Sequence, residues 1–275
     1  MKTKLVFTIL ATIVLMTSII AASMLIPRSD KANPNEEASI TPPGLEKVVF
    51  IHYKKGYGGY CNNNGDCEPE LGENPSCADC KKDKVNGEEE STCYAFLDRW
   101  AKWKESPIDY VIDPNNPDGL EESFVTNAIS AGAEEWDVHT TTELFGTYSI
   151  DYSSSWDSDA PDGRNELLFG DYSQDGVIAV TVIWGYFSGR PSARRIIEFD
   201  VLFDTDFTWG DATVNPEVMD LQNIATHEIG HGAGLGDLYD TVCAEETMYG
   251  YSNYGETKKQ TLESGDIIGI QKLYS

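Results

Sequence analysis

The chain has 275 residues, 40% of them hydrophobic, with a formal net charge of −26. That length holds one substantial core and a small satellite module. So acidic a surface repels nucleic acid and anionic membranes and attracts divalent cations, which argues against a nucleic-acid partner.

In chain order, Met1-Lys-Thr-Lys precedes a run without charge from Leu5 to Ile26. A positive start followed by an apolar run marks an export signal, and this one reaches the ~20 residues that span a bilayer. Residues 1–26 are therefore a signal peptide, with Ala21-Ala22-Ser23 offering a cleavage site, or a retained membrane anchor. Either outcome puts the remainder outside the cytoplasm, secreted or held at the cell surface. The membrane touches the chain only through this segment if it is uncleaved. Residues 27–46, rich in proline and polar residues, read as a flexible linker. Residues 47–92 begin with a strand, KVVFIHY (47–53), and continue into a stretch dense in turn formers that carries Cys61, Cys67, Cys77 and Cys80. Such a stretch builds no apolar core, and in an exported chain its cysteines point to disulfide staples. Cys77-Ala-Asp-Cys80 lacks the second CxxC or histidine pair that a zinc site would use.

Residues 93–275 read as one regular domain. IDYVID (108–113) is strand-like, and the segment ending at Trp136 places Phe124, Ala128, Ile129, Ala133 and Trp136 at helical spacing. Strand-like runs follow at 166–170, 176–187 and 195–203. A helix then carries the sequence His227-Glu-Ile-Gly-His231, and a final helix spans 265–274.

Two histidines four apart lie one turn apart on the same side of a helix. His227 and His231 can therefore aim imidazole nitrogens at one zinc ion, while Glu228 reaches a water on that ion as general base. Gly232, Gly234 and Gly236 end the helix. Gly234 lets the chain turn back toward the ion, which Asp237 then faces as third ligand. Asp240, in GDLYD, is the fallback. Two histidines and a carboxylate are an accepted catalytic zinc set.

HExxHxxGxx with a third ligand and a downstream methionine resembles the metzincin zinc metalloproteases. The aspartate ending resembles their snapalysin-like minority, while ETMYGY (246–251), with Met248 before Tyr249, resembles the matrixin branch. LESGDIIGIQKLY is similar to the last matrixin helix and FDTDFTW (203–209) to the segment before the active-site helix. The resemblance covers about 93–275. It implies an α+β fold: a metzincin-like catalytic domain with a twisted mixed β-sheet, a long first helix, an active-site helix, a Met-turn and a C-terminal helix, beside a small N-terminal cysteine-rich module. It implies Met248 as an apolar floor beneath the metal, and Tyr251 or Tyr249 as an oxyanion donor. The run GVIAVTVIWGY resembles the strand lining the metzincin cleft. As an edge strand it would bind an extended polypeptide by main-chain pairing; an interior strand is the alternative.

Two departures stand out. Leu202 occupies a position where matrixins hold a second, structural zinc, and only His52 and His139 remain elsewhere, so one zinc is expected. No PRCGxPD-like segment precedes the domain, which speaks against latency through a cysteine–zinc bond. Asp171 and Asp175 in DYSQDG, with Asp204 and Asp206, form a candidate structural calcium set; a solvated acidic loop is the alternative. Cys243 falls between the metal motif and Met248, where a bridge to Cys93 would pin the loop to the start of the domain. The function implied is a secreted or cell-surface zinc endopeptidase acting on polypeptide. The rival is a non-catalytic adhesion or calcium-binding surface protein on the same fold.

Overall fold

The longest apolar run in the domain, VIAVTVIWGY, becomes a strand buried along all but its last residue. Such a strand must be covered on both faces and flanked on both edges, and the sheet is built around it. The computed structural model describes residues 42–57 and 93–275. The export segment, most of the linker, and Cys61, Cys67, Cys77 and Cys80 lie outside them. Among the described residues no helix is long and apolar enough to cross a membrane.

The strands are β1 (Glu46–Lys54), β2 (Ala95–Phe96), β3 (Ile108–Ile112), β4 (Phe145–Ile150), β5 (Glu166–Gly170), β6 (Val177–Tyr186), β7 (Arg195–Asp204), β8 (Trp209–Gly210), β9 (Met219–Asp220), β10 (Leu235–Gly236) and β11 (Tyr251–Ser252). The helices are α1 (Glu122–Asp137), α2 (Leu221–Gly232) and α3 (Ser264–Tyr274). One mixed sheet runs β11-β1-β6-β7-β5-β3-β4. Its β3, β4, β5 and β7 are mutually parallel, while β6 runs antiparallel to both of its neighbours. The strand expected at 47–53 thus forms, as β1, within the same sheet as the elements of 93–275. It pairs along the outer edge of β6, so β6 is an interior strand here and not the edge strand its resemblance implied. Strand β4 was not legible in the sequence: FGTYSI buries only Phe145 and leaves four of its six residues exposed. Pairing with β3, not local pattern, makes it a strand.

Helix α1 turns Val125, Ala128, Ile129, Ala133 and Trp136 inward, and Phe124 is only half-buried. Trp136 lies fully buried against α2, its Nε1 donating to the carbonyl of Thr226 at 2.8 Å. Each such large side chain removed from water contributes roughly 1.5–3 kcal/mol. The helix pair packs on the sheet and leaves α2 buried along nearly its whole length.

Two acids on β7 fasten the 151–165 segment to the sheet. Asp200 accepts from the amides of Glu166 (2.9 Å) and Asp157 (3.1 Å), and Glu198 accepts from the amides of Asp162 and Gly163. Burial pushes the Asp200 carboxyl up to about 8 and that of Glu198 up to about 7. Asp157 brings a third carboxylate oxygen within 4.8 Å of theirs. A carboxyl whose folded pKa is raised stabilises the fold below its ordinary pKa and loses that contribution as pH rises through the folded value. In chelator-treated protein the melting temperature should therefore fall from about pH 4 to about pH 8, and Asp200→Asn should flatten that decline. Equal slopes for the two proteins would contradict the assignment.

Cys93 and Cys243 are disulfide-bonded, with Cα atoms 5.3 Å apart and a sequence separation of 150. Closing so long a loop restricts the unfolded chain by about 4–5 kcal/mol in the chain-entropy account. A Cys93→Ser, Cys243→Ser variant should lose stability of that order in denaturant unfolding. A loss under about 1 kcal/mol would mean native strain cancels the restriction.

Candidate metal centre and its surroundings

Helix α2 starts where Asp220 accepts from the amide of Asn223 at 2.8 Å, an N-cap that fixes the first turn. From there the 3.6-residue period carries His227, Glu228 and His231 to one side, all essentially unexposed. His227 Nδ1 lies 2.6 Å from the carbonyl of Thr247 and His231 Nδ1 lies 3.0 Å from that of Leu235. A carbonyl only accepts, so each Nδ1 carries the proton and each Nε2 presents a lone pair. Gly234 has φ +101°, and a Cβ there would stand 2.8 Å from the carbonyl of Ala101. Only glycine turns the chain at this point without strain. The turn brings Asp237 Oδ1 to 3.3 Å from His227 Nε2 and 3.5 Å from His231 Nε2.

These three donors fit a zinc ion. Ligand atoms at roughly 2.0–2.1 Å in a tetrahedron stand roughly 3.3 Å from one another, close to the two distances from Asp237 Oδ1. His227 Nε2 and Asp237 Oδ1 are buried without a hydrogen-bond partner, as two atoms reserved for a cation would be. Tyr239 donates to the other oxygen, Oδ2, at 2.9 Å and so orients the carboxylate. Burial, helped by the charge of Lys259, lowers His227 to about 3. Its imidazole is therefore neutral, the form a metal takes. For Asp237 burial raises the pKa, but the two histidines outweigh it and hold the carboxyl far below its usual range. In His231 burial pulls downward, and Asp237 and Glu228 more than offset it. Asp240 is not part of this set; it accepts from the amide of Val242 and caps a 3-10 helix, Thr241–Cys243.

Glu228 faces the same space. Its Oε2 accepts from Thr181 Oγ1 at 2.6 Å, and its Oε1 lies 2.9 Å from His52 Nδ1. Burial pushes its carboxyl up to about 7, against the lowering effect of His231 and Thr181. Beneath α2, a Cβ on Gly230 would come within 2.4 Å of Met248 Sδ, so this glycine admits the methionine floor. The floor is held from behind by Asp266, which accepts from the amides of Thr247 (2.6 Å) and Met248 (3.1 Å). Tyr249 is buried and Tyr251 lies in β11, their rings 5.8 Å apart, with Tyr251 also packed 5.6 Å from Tyr239.

Of the four acids in the calcium set, Asp171, Asp204 and Asp206 bring carboxylate oxygens within 4.8 Å of one another, and Asp175 is not in the group. Asp204 Oδ2 is buried there without a partner. Sequence reasoning missed Thr181, Tyr239, Asp266 and above all Lys259. This lysine is fully buried, its Nζ donating to the carbonyl of Tyr249 and standing 3.3 Å from His52 Nε2. Nothing in the local pattern TKKQT sets Lys259 apart from Lys258, whose side chain stays partly exposed.

Residues 102–275, more than half of the chain, match the family model described as Matrixin. A Metalloendoproteinase 1 of Glycine max is 43% identical over 77 residues, covering 26% of this chain and 24% of that protein. Matrix metalloproteinase-16 of Homo sapiens is 36% identical over 75 residues, covering 27% of this chain and 12% of that protein. These matches span well under two thirds of either relative. The family match runs from just before β3 to the end of α3 and takes in the whole donor set, the turn at Gly234 and Met248, and on that ground the chain belongs to the matrixin family.

Proposed function

We propose that this chain is a zinc-dependent endopeptidase, secreted or held at the cell surface, that cuts polypeptides bound in extended form. The observation that carries the reading is the convergence of His227 Nε2, His231 Nε2 and Asp237 Oδ1, two of them buried and unpartnered, beside the carboxylate of Glu228. An aspartate-ended motif of the snapalysin-like kind is consistent with that geometry. A zinc ion held by these donors supplies Lewis acidity toward a peptide carbonyl and toward water. The chain's own part is then acid–base work. Glu228 takes a proton from the attacking water and hands it to the departing amine, and a carboxyl raised to about 7 suits both directions near neutrality. Tyr251 and Tyr249 are the candidate donors to the developing oxyanion. A structural calcium ion among Asp171, Asp204 and Asp206 is part of the same proposal.

Glu228→Ala should keep zinc at one per chain while casein or peptide hydrolysis falls by about 10²–10⁴-fold, the usual weight of general acid–base catalysis. Zinc-loaded wild type that binds a surface partner yet cleaves nothing would favour the adhesion reading. Replacing a carboxylate ligand with a neutral imidazole raises the net charge at the metal and acidifies water there. The pH optimum of Asp237→His should therefore lie below that of the wild type. Superimposable pH–rate profiles would contradict Asp237 as a ligand.

A further inference from the structure

We infer that β1 is a built-in occupant of the substrate groove, an N-terminal strand that holds the site shut through Phe50 and His52. The inference rests on the peptidase reading above and assigns that site its regulation. Among the described residues, β1 is the one strand of the large sheet that comes from outside the matched stretch 102–275. It runs antiparallel to β6 along nearly its whole length, and its last two residues, Tyr53 and Lys54, also pair parallel to β11. That is the geometry of strand addition, in which a guest peptide takes its affinity from main-chain hydrogen bonds. While β1 is in place, no other peptide can pair with that edge of β6.

The side chains of a strand alternate between faces, and those of β1 divide accordingly. Ile51 and Tyr53 pack with Val177 and Val180 on one side. Phe50 and His52 point to the other, toward the donor set. The Phe50 ring lies flat on the His231 imidazole, with centroids 3.9 Å apart and planes 6° from parallel. The His52 ring sits 4.0 Å from that of His227. Lys259 has only protons to give, so His52 Nε2, 3.3 Å from Nζ, accepts. Nδ1 is then the protonated nitrogen and donates to Glu228 Oε1 at 2.9 Å. Ser252 Oγ, 3.1 Å from Nε2, holds the ring from β11. With Thr181 on Oε2, both oxygens of Glu228 are engaged by side chains and the residue has no exposed surface. Each oxygen keeps a second lone pair, but with His52 seated the carboxylate is held away from water. The strand therefore covers the groove and engages the base together, through Phe50 and His52.

The test uses the full chain loaded with zinc, as wild type, Phe50→Ala, His52→Ala and the double variant. Two quantities are read: affinity for a peptide hydroxamate, which needs both the metal and the groove, and hydrolysis of a quenched peptide. If β1 occupies the groove most of the time, the double variant should bind the hydroxamate at least about tenfold more tightly, because apparent affinity scales with the competent fraction. Hydrolysis should rise with it. Phe50→Ala, which leaves His52 and Glu228 intact, should move both readouts in the same direction. In wild type, bound hydroxamate should speed amide hydrogen exchange across residues 46–54. Unchanged or weaker hydroxamate binding in the variants, or exchange across 46–54 that stays slow with hydroxamate bound, would overturn the inference. Tighter hydroxamate binding without hydrolysis in any protein would leave the occupancy standing and sink the peptidase reading instead.

Discussion

Two backbone carbonyls decide what this site can be. The oxygens of Thr247 and Leu235 take the Nδ1 protons of His227 and His231 and so commit both Nε2 atoms to one point in space. Without those acceptors a histidine pair on a helix is only a pair of rotamers; with them it presents two preset lone pairs, two-thirds of the proposed metal site. The remaining third depends on chain direction. Gly234 lets the backbone reverse at φ +101° and deliver Asp237, whose spare oxygen Tyr239 then holds.

The fold supplies the stiffness this arrangement needs. α2 is wedged between α1 and the sheet, with Trp136 hydrogen-bonded to its Thr226 carbonyl and Met248 pressed against Gly230. Thr247, whose carbonyl is one of the two orienting acceptors, is itself tied through its amide to Asp266 at the start of α3. Thus the last helix acts on the first ligand through a single intervening residue. Two buried acids have a parallel role, since Glu198 and Asp200 hold the 151–165 segment by accepting its amides.

Much of this was legible because it is local. The spacing of His227, Glu228 and His231, the turn at Gly234 and the apolar periodicity of α1 involve residues within a turn or two of one another. Strand runs at 166–170, 176–187 and 195–203 also appear close to where apolar composition puts them. What stayed hidden depends on pairing between distant segments. β4 has too little apolar alternation to announce itself, and the burial of Lys259 depends on contacts with Tyr249 and His52. The seat of β1 is the plainest case: KVVFIHY reads as a strand, but no local feature says which sheet edge it joins. Its register on β6, with His52 opposite Ala179, is a fact of tertiary structure.

The central claim is that one turn of α2 and the bend after it form a three-donor zinc site. Zinc X-ray absorption on the purified full chain, with metal content measured on the same sample, tests it most directly. The expected result is one zinc per chain, two imidazole nitrogens and a carboxylate oxygen at roughly 2.0–2.2 Å, and loss of that oxygen in Asp237→Ala. A shell containing sulfur, or one unchanged by Asp237→Ala, would contradict it.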